Sequence, residues 1–370
     1  MINLKRRLIF VLVLVLLIAA SGCKIKGKGD TKKTQKSIDE IRAGTEGIVM
    51  NFLANAPPEK LHVEPGADNS FDVVLELKNK GAYPQPDEGV SGLAPGFGKV
   101  FLSGYDTNIL TFDKTDSDLS QKALEGKSSI NPNGGQDLLT FKGKINAENL
   151  NVEKYEPTLL ATVCYYYFTI AGPSVCIDPN PYSTVKEKKV CTVQDTTLSD
   201  QGASIAVTKI DEEAFATKTQ FRITIKNVGG GDALKADAAL EKCNPHGTQK
   251  IEREDIDKVN LMSVKAADKL LQCGPFAEGN VKGTGGLIRL INGEGFVICE
   301  LSSSEYSNKI SAYTTPLVIQ LSYGYRSTIE RKLQIKKEIS ALGTTSGSPI
   351  GGVGSEESFD RTTGPVKITP

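Results

Sequence analysis

The middle of this chain is written twice, and that duplication constrains its fold more than any single motif. Phe71–Gly81 reads FDVVLELKNKG and Phe221–Gly229 reads FRITIKNVG. Both alternate apolar and polar residues and end in Lys-Asn-x-Gly, at Lys78–Gly81 and Lys226–Gly229. Alternation with period two puts one face of a strand in a core. The glycine reads as a strand exit tolerant of positive φ. Other matches keep the same order. Ile48-Val49-Met50 matches Ile205-Ala206-Val207 at an offset of 157, and Lys99-Val100 matches Lys258-Val259 at 159. Leu159–Tyr167 matches Leu317–Tyr325 at 158, laying Tyr165 and Tyr167 on Tyr323 and Tyr325. The Lys-Asn-x-Gly offset is only 148, which implies an insertion between early strands of the second copy. Matched order with a nearly fixed offset means two tandem copies of about 145 residues each.

Each copy holds about seven strand candidates separated by Gly, Pro, Asn and Asp. In the first they lie near 46–53, 71–79, 98–104, 138–145, 158–169, 174–178 and 184–192. In the second they lie near 203–210, 219–227, 256–264, 286–291, 295–301, 316–325 and 328–336. The expected fold is all-β, two tandem antiparallel immunoglobulin-like β-sandwiches. One short helix is expected near 147–153 and another in 250–258 or 264–271. The chain after Ala341 is rich in Gly, Ser, Thr and Pro, cannot bury a core, and is predicted to be disordered. The organisation is then a leader at 1–23, a basic linker at 24–45, domains at 46–193 and 194–338, and a tail at 339–370. A fragment of residues 195–338 is expected to fold alone.

The first 23 residues direct the chain out of the cytoplasm. Lys5, Arg6 and Arg7 precede an apolar run from Leu8 to Ala20, then Ser21-Gly22-Cys23. That is the layout of an export signal, and the run is shorter than the ~20 residues a spanning helix needs. Cys23 after Ala-Ser-Gly resembles a lipoprotein lipobox, although Ala20 stands where such boxes usually carry Leu. The resemblance implies lipidation at Cys23; an uncleaved helical anchor is the alternative. Either way the expected location is the cell membrane, facing the exterior. Residues 1–23 carry +3 and residues 24–36 carry +5, and the whole chain is neutral, so the remainder carries −8. The basic stretch beside the membrane suits anionic head groups or a solvated linker. The acidic remainder argues against a nucleic-acid partner; other envelope proteins are the expected partners.

Apart from Cys23 the cysteines are Cys164, Cys176, Cys191, Cys243, Cys273 and Cys299. An even number in an exported chain favours disulfides. Cys164 and Cys176 flank the turn at 169–173 symmetrically, so a hairpin would oppose them within disulfide reach. Cys273 would then tie to Cys299, and Cys191 to Cys243 across the junction between the copies, although six cysteines allow fifteen pairings.

The strand end Lys226-Asn227-Val228-Gly229 with Gly230-Gly231-Asp232-Ala233, and more weakly Lys78-Asn79-Lys80-Gly81-Ala82, resembles the CARDB family of immunoglobulin-like, cell-adhesion-related modules. The layout of leader and sandwiches is also similar to surface proteins of uncharacterised archaea. The resemblance covers some 30–40 residues of each copy and implies an extracellular scaffold or binding module without a shared catalytic set. The chain departs from that family by its length and by inserts at about 111–136 and 232–255.

Signals for chemistry are sparse. The only histidines are His62 and His246, and neither Gly-x-Ser-x-Gly nor His-Glu-x-x-His occurs. Asp113, Asp116 and Asp118 have oxygens for a hard cation but lack calcium-loop spacing, and read as a solvated loop. Gly279–Gly286 reads as a flexible loop rather than a phosphate cradle. Glu252, Glu254, Asp255 and Asp257 read as an exposed face. No cofactor and no metal are expected. Tyr165, Tyr167, Tyr323 and Tyr325 are assigned to packing, and Tyr166, on the opposite strand face, to a candidate surface contact. The reading is a membrane-tethered binding or scaffold protein without catalysis. The alternative is a glycan- or peptide-binding accessory subunit, and a minor one is an exported carboxylate-type hydrolase.

Overall fold

The computed structural model describes Ile41 and residues 43–83, 97–120, 122, 124–183, 189–278, 282–306 and 311–338. The leader with Cys23, most of the basic linker and the tail at 339–370 lie outside the described residues. So do 184–188 of one expected strand and part of the glycine-rich loop.

The chain is all-β, as its alternation requires. The first copy forms a four-stranded sheet in the order β1 (Ile48–Phe52), β3 (Ser70–Asn79), β7 (Gln136–Ile145) and β5 (Leu110–Phe112). The second copy repeats this order as β12 (Ile205–Ala214), β13 (Lys218–Asn227), β19 (Glu294–Ser302) and β17 (Gln272–Gly274), with β11 (Thr196–Thr197) added beside β12. A nine-stranded sheet draws on both copies. Its spine is β16 (Lys269–Leu270), β15 (Lys258–Ala266), β20 (Tyr313–Lys332), β9 (Thr158–Ala171), β4 (Gly98–Ser103) and β6 (Asp116–Asp118). β10 (Ser174–Ile177) and β14 (Asp232–Leu234) add to β20, and β18 (Gly286–Arg289) adds to β15. A small third layer holds β2 (Lys60–Val63), β21 (Gln334–Lys337) and β8 (Lys154–Tyr155). Burial follows the sequence period: Phe71, Val73, Leu75 and Leu77 of β3 are buried while Asp72 is exposed. The apolar faces of all the larger sheets meet in one continuous core.

The two copies are joined along their equivalent strands. β9 and β20 pair antiparallel from Thr158↔Lys332 to Ala171↔Ile319. The same register continues through β10, Ser174↔Pro316 to Ile177↔Tyr313, and through β8, Tyr155↔Ile335 and Lys154↔Lys336. In every pair residue i lies opposite residue 490 − i. Since the copies repeat at 158, Tyr166 faces its own equivalent, Gly324. A pseudo-twofold axis therefore passes through that pair. The duplication has built the isologous interface of a homodimer inside one chain.

The halves differ in two places, which explains the drifting offset. Seventeen residues separate β1 from β3, including β2, but only three separate β12 from β13. The second copy is shorter there and longer afterwards, where α1 (Ala236–Glu241) and the loop behind it lie over the outer face of the central sheet. A Cβ on Gly324 would meet Ala239 and come within 2.7 Å of Lys235 O. This is why the second copy carries Gly where the first carries Tyr166. The helices expected at 147–153 and at 250–258 or 264–271 are absent, and 264–266 is strand. Residues 189–192, expected as strand, are loop tied down by Cys191.

Candidate functional site

Three disulfides brace this frame, and two of them correct the expected pairing. Cys164 bonds Cys243, Cys176 bonds Cys191, and Cys273 bonds Cys299 as expected. Neither Cys164–Cys176 nor Cys191–Cys243 forms. The hairpin assumption fails because β10 does not fold back on β9; it continues onto β20, with Cys176 opposite Thr314. Cys164 points to the outer face, where it packs with Phe101, Cys243 and Ile251 and fastens the α1 insert. His246 adds a contact there, its Nε2 2.8 Å from Leu102 O. Three disulfides place the folded part in an oxidising compartment. Among the described residues no helix is long and apolar enough to cross a membrane.

Tyr165, Tyr167, Tyr323 and Tyr325 meet at the pseudo-axis in a closed ring of contacts. Neighbouring centroids lie 5.6–6.3 Å apart. Aromatic pairs at such distances contribute beyond their buried area. Every hydroxyl is used, in the same way in both halves. Tyr165 Oη accepts from Ile48 N at 3.2 Å, and Tyr323 Oη from Ile205 N at 3.3 Å. Tyr167 Oη donates to Asn79 Oδ1 and Tyr325 Oη to Asn227 Oδ1, both at 3.1 Å. The Asn of Lys-Asn-x-Gly is thus the acceptor for the second tyrosine of each copy. The same Oδ1 atoms accept from Gly81 N at 3.0 Å and Gly229 N at 3.2 Å. Burial holds the Tyr165, Tyr167 and Tyr323 hydroxyls far above the usual phenol range. These residues are packing, and the motif is their cap. Neither Gly81 nor Gly229 is among the glycines with positive φ, so the expected reason for them is corrected. The requirement is space, since a Cβ there would strike Tyr167 Oη or Tyr325 Oη.

Tyr166 is half-buried on the outer face and stacks edge-on against Phe168 at 4.9 Å. Asp113, Asp116 and Asp118 do not converge. Asp113 accepts from Lys142 N at 3.0 Å, Asp116 lies 3.7 Å from Lys99 Nζ, and Asp118 accepts from Ser120 N at 2.7 Å. No group of three metal-ligating side chains occurs among the described residues. Asp255 corrects the exposed-face reading: it is 5% exposed and takes Lys242 Nζ at 2.9 Å. It also accepts from Glu252 N at 2.9 Å, so it fixes the turn behind α1.

The least satisfied chemistry lies at the far end of the second copy. Glu212 is only 6% exposed, at a core-facing position of β12. Its Oε2 accepts from Cys176 N at 3.3 Å. Its Oε1 is buried with no hydrogen-bond partner among the described residues. Desolvation raises this carboxyl to about 7, against the opposing pull of the Cys176 amide. The side chain borders a cleft of about 500 Å³ lined also by Asp178, Pro181, Tyr182, Lys189 and Phe215. Asp178 is occupied by Lys189, which also donates to Asn180 O at 3.1 Å. The free oxygen can take a hydrogen-bond donor or a cation. Sequence reading missed Glu212 because it ended the strand near 210. Continued alternation from Ile210 would have turned Glu212 inward.

The raised pKa carries a stability consequence. Between the ordinary carboxyl value, near 4.5, and 7 the folded chain binds the extra proton, so stability falls as pH rises through that window. Glu212→Gln is expected to be neutral at pH 4 and to stabilise by up to about 3 kcal/mol at pH 8. Denaturant melts of both proteins across pH 4–8 check this; a constant difference across the range would reject the buried-acid account.

No family model matches the chain, and no curated protein matches it. A solved structure to which it bears some similarity is the collagen-binding domain of surface protein RspB from Erysipelothrix rhusiopathiae. The two are 10% identical, with 82% of this chain and 100% of that one covered and a TM-score of 0.11. So slight a likeness carries neither fold nor function from one to the other.

Proposed function

We propose that the chain is a cell-surface binding or scaffold protein, tethered to the membrane through Cys23 or its N-terminal helix and built from two CARDB-like, immunoglobulin-like modules. It acts without catalysis, and other envelope proteins are its partners. The observation that carries this reading is the pseudo-twofold ribbon. Register, tyrosine ring and the Cys164–Cys243 disulfide join the two modules, and rigidity of that kind suits the display of surfaces at fixed separation. The disulfides agree with an exterior location, and the leader and lipobox-like Cys23 supply the tether. The Glu212 cleft favours the second reading, an accessory subunit that takes a peptide or glycan. A carboxylate-type hydrolase has less support, because the other buried acid of the cleft, Asp178, is already held by Lys189.

Proximity labelling from the surface of intact cells tests the proposal, with Cys23→Ser as control. The expected result is labelling of a reproducible set of envelope proteins, with the control released from the membrane. A protein that no external label reaches would reject it.

A further inference from the structure

The pseudo-symmetry exposes a difference between the halves that has the shape of a vacancy. β21 is the equivalent of β10, since both continue the ribbon past the long strand of their copy. The outer edge of β21 is covered. β2 pairs with it in parallel from Lys60↔Gln334 to Val63↔Lys337, and Gln334 N donates to Glu59 O at 2.7 Å. The outer edge of β10 has no strand beside it among the described residues. Three residues stand where the first copy inserts β2, so the connection between β12 and β13 is too short to place a strand there. Cys176 N, the equivalent of Gln334 N, is met instead by the Glu212 carboxylate. Beside that edge lies the cleft, large enough for a few residues of extended chain and lined by Glu212, the exposed Glu213 and the Asp178–Lys189 ion pair, a set with net negative charge.

An added strand supplies main-chain hydrogen bonds to such an edge, with side-chain pockets for specificity. The chain carries a segment suited to that place. Val366-Lys367-Ile368-Thr369 alternates apolar and polar residues between Pro365 and Pro370 and presents one lysine. It is separated from the last described residue, Glu338, by the Gly/Ser-rich residues 339–365. Glu338 follows β21 at one end of the ribbon, and β10 lies at the other. The twenty-four positions from 152, opposite Glu338 in the ribbon register, to Cys176 span about 80 Å at the rise of a strand. Twenty-seven linker residues reach about 90 Å only when fully stretched, whereas their relaxed span is about 30 Å. Closure within one chain is therefore entropically poor, while a neighbouring copy meets no such limit.

We propose that the β10 edge and the Glu212 cleft are a strand-acceptor site, and that its occupant is Val366–Thr369 of a second copy, with Lys367 against Glu212. Glu338, from which the donor segment is tethered, and the acceptor edge lie at opposite ends of the ribbon. The contact is heterologous and does not close on itself, so copies join head to tail into open chains. This deepens the scaffold reading by naming the partner as the chain itself.

The test uses the chain from Lys24 onward, oxidised and free of lipid, by sedimentation velocity over a concentration series. The expected result is association that grows past dimer with concentration and is abolished in the tail variant V366D/I368D, whose sandwich is untouched. A synthetic peptide of residues 361–370 is expected to dissolve the oligomers and to protect the β10 amides from hydrogen exchange. The K367E peptide is expected to bind about tenfold more weakly, a charge reversal against a partly buried acid. A chain that stays monomeric with β10 amides unprotected by the peptide overturns the site. A monomer whose β10 amides lose protection in V366D/I368D overturns the second copy as occupant and places the tail in its own slot. Surface labelling tests the scaffold reading separately, so either idea can fail alone.

Discussion

A fragment of residues 195–338 is expected not to fold as a stable monomer, although the repeat by itself suggests that it should. The fragment keeps the β12–β13–β19 sheet and its Cys273–Cys299 bond. It loses β9, which pairs with fourteen residues of β20. It loses Tyr165 and Tyr167, against which Tyr325 and Tyr323 pack. β21 also loses both of its neighbours, since β2 and β8 belong to the first copy. Each large side chain stripped from the core costs about 1.5–3 kcal/mol of burial, and a domain is stable by only about 5–15 kcal/mol in all. The exposed edge of β20 is long and apolar on one face, a template for pairing with other chains. Light scattering after size exclusion, on a fragment with Cys243→Ser so that no free thiol confuses the result, should show oligomers or an expanded monomer. A compact monomer melting cooperatively within a few degrees of the intact protein would mean that the ribbon is dispensable.

What the sequence made legible was local. Alternation located β3, β7, β9, β13 and β19 to within two residues, and the repeat offsets carried the equivalence of the tyrosine pairs. The sequence could not say which partner each strand takes, because a strand's own pattern fixes its buried face and not its neighbour. The Cys164–Cys176 expectation failed on that point: it assumed the nearest strand in sequence was the nearest in space. Short strands such as β8 and β11 carry too few residues for any period to register. The misreading of Asp255 and the absence of Glu212 from the sequence reading have a related reason. Each is a polar residue on a buried face, and burial of a carboxylate depends on partners outside its own element, Lys242 for one and the Cys176 amide for the other, 13 and 36 residues away. Repetition alone assigns the tyrosines to the core, but their hydrogen bonds to the Lys-Asn-x-Gly asparagines join two motifs that lie 88 and 98 residues apart.

Gly81→Ala is expected to be among the most damaging single-methyl additions in this protein, at about 3 kcal/mol or more, the upper end for overpacking. The new methyl would land on Tyr167 Oη and come within 2.6 Å of Gly202 O and 2.8 Å of Glu46 O. None of the three can give way cheaply. Tyr167 is held by Asn79 Oδ1 and the Tyr83 amide, with its ring packed against Tyr165 and Tyr323. Gly202 O accepts the Ala82 amide at 2.6 Å, and that bond ties the first copy to the second beside the pseudo-axis. Moving any of them breaks hydrogen bonds in a dry site, where an orphaned group costs about 1–3 kcal/mol. The equivalent Gly229→Ala meets side chains rather than carbonyls, Tyr325 Oη and Ser204, and should cost less. Gly230→Ala one residue later has nothing within 4 Å and no positive φ, so it should be neutral or slightly stabilising. Urea melts of the three variants should therefore rank Gly81 well above Gly229 and Gly229 above Gly230. If all three fall together, the glycine serves the strand exit by its flexibility, and the close approach of the tyrosine hydroxyl is incidental.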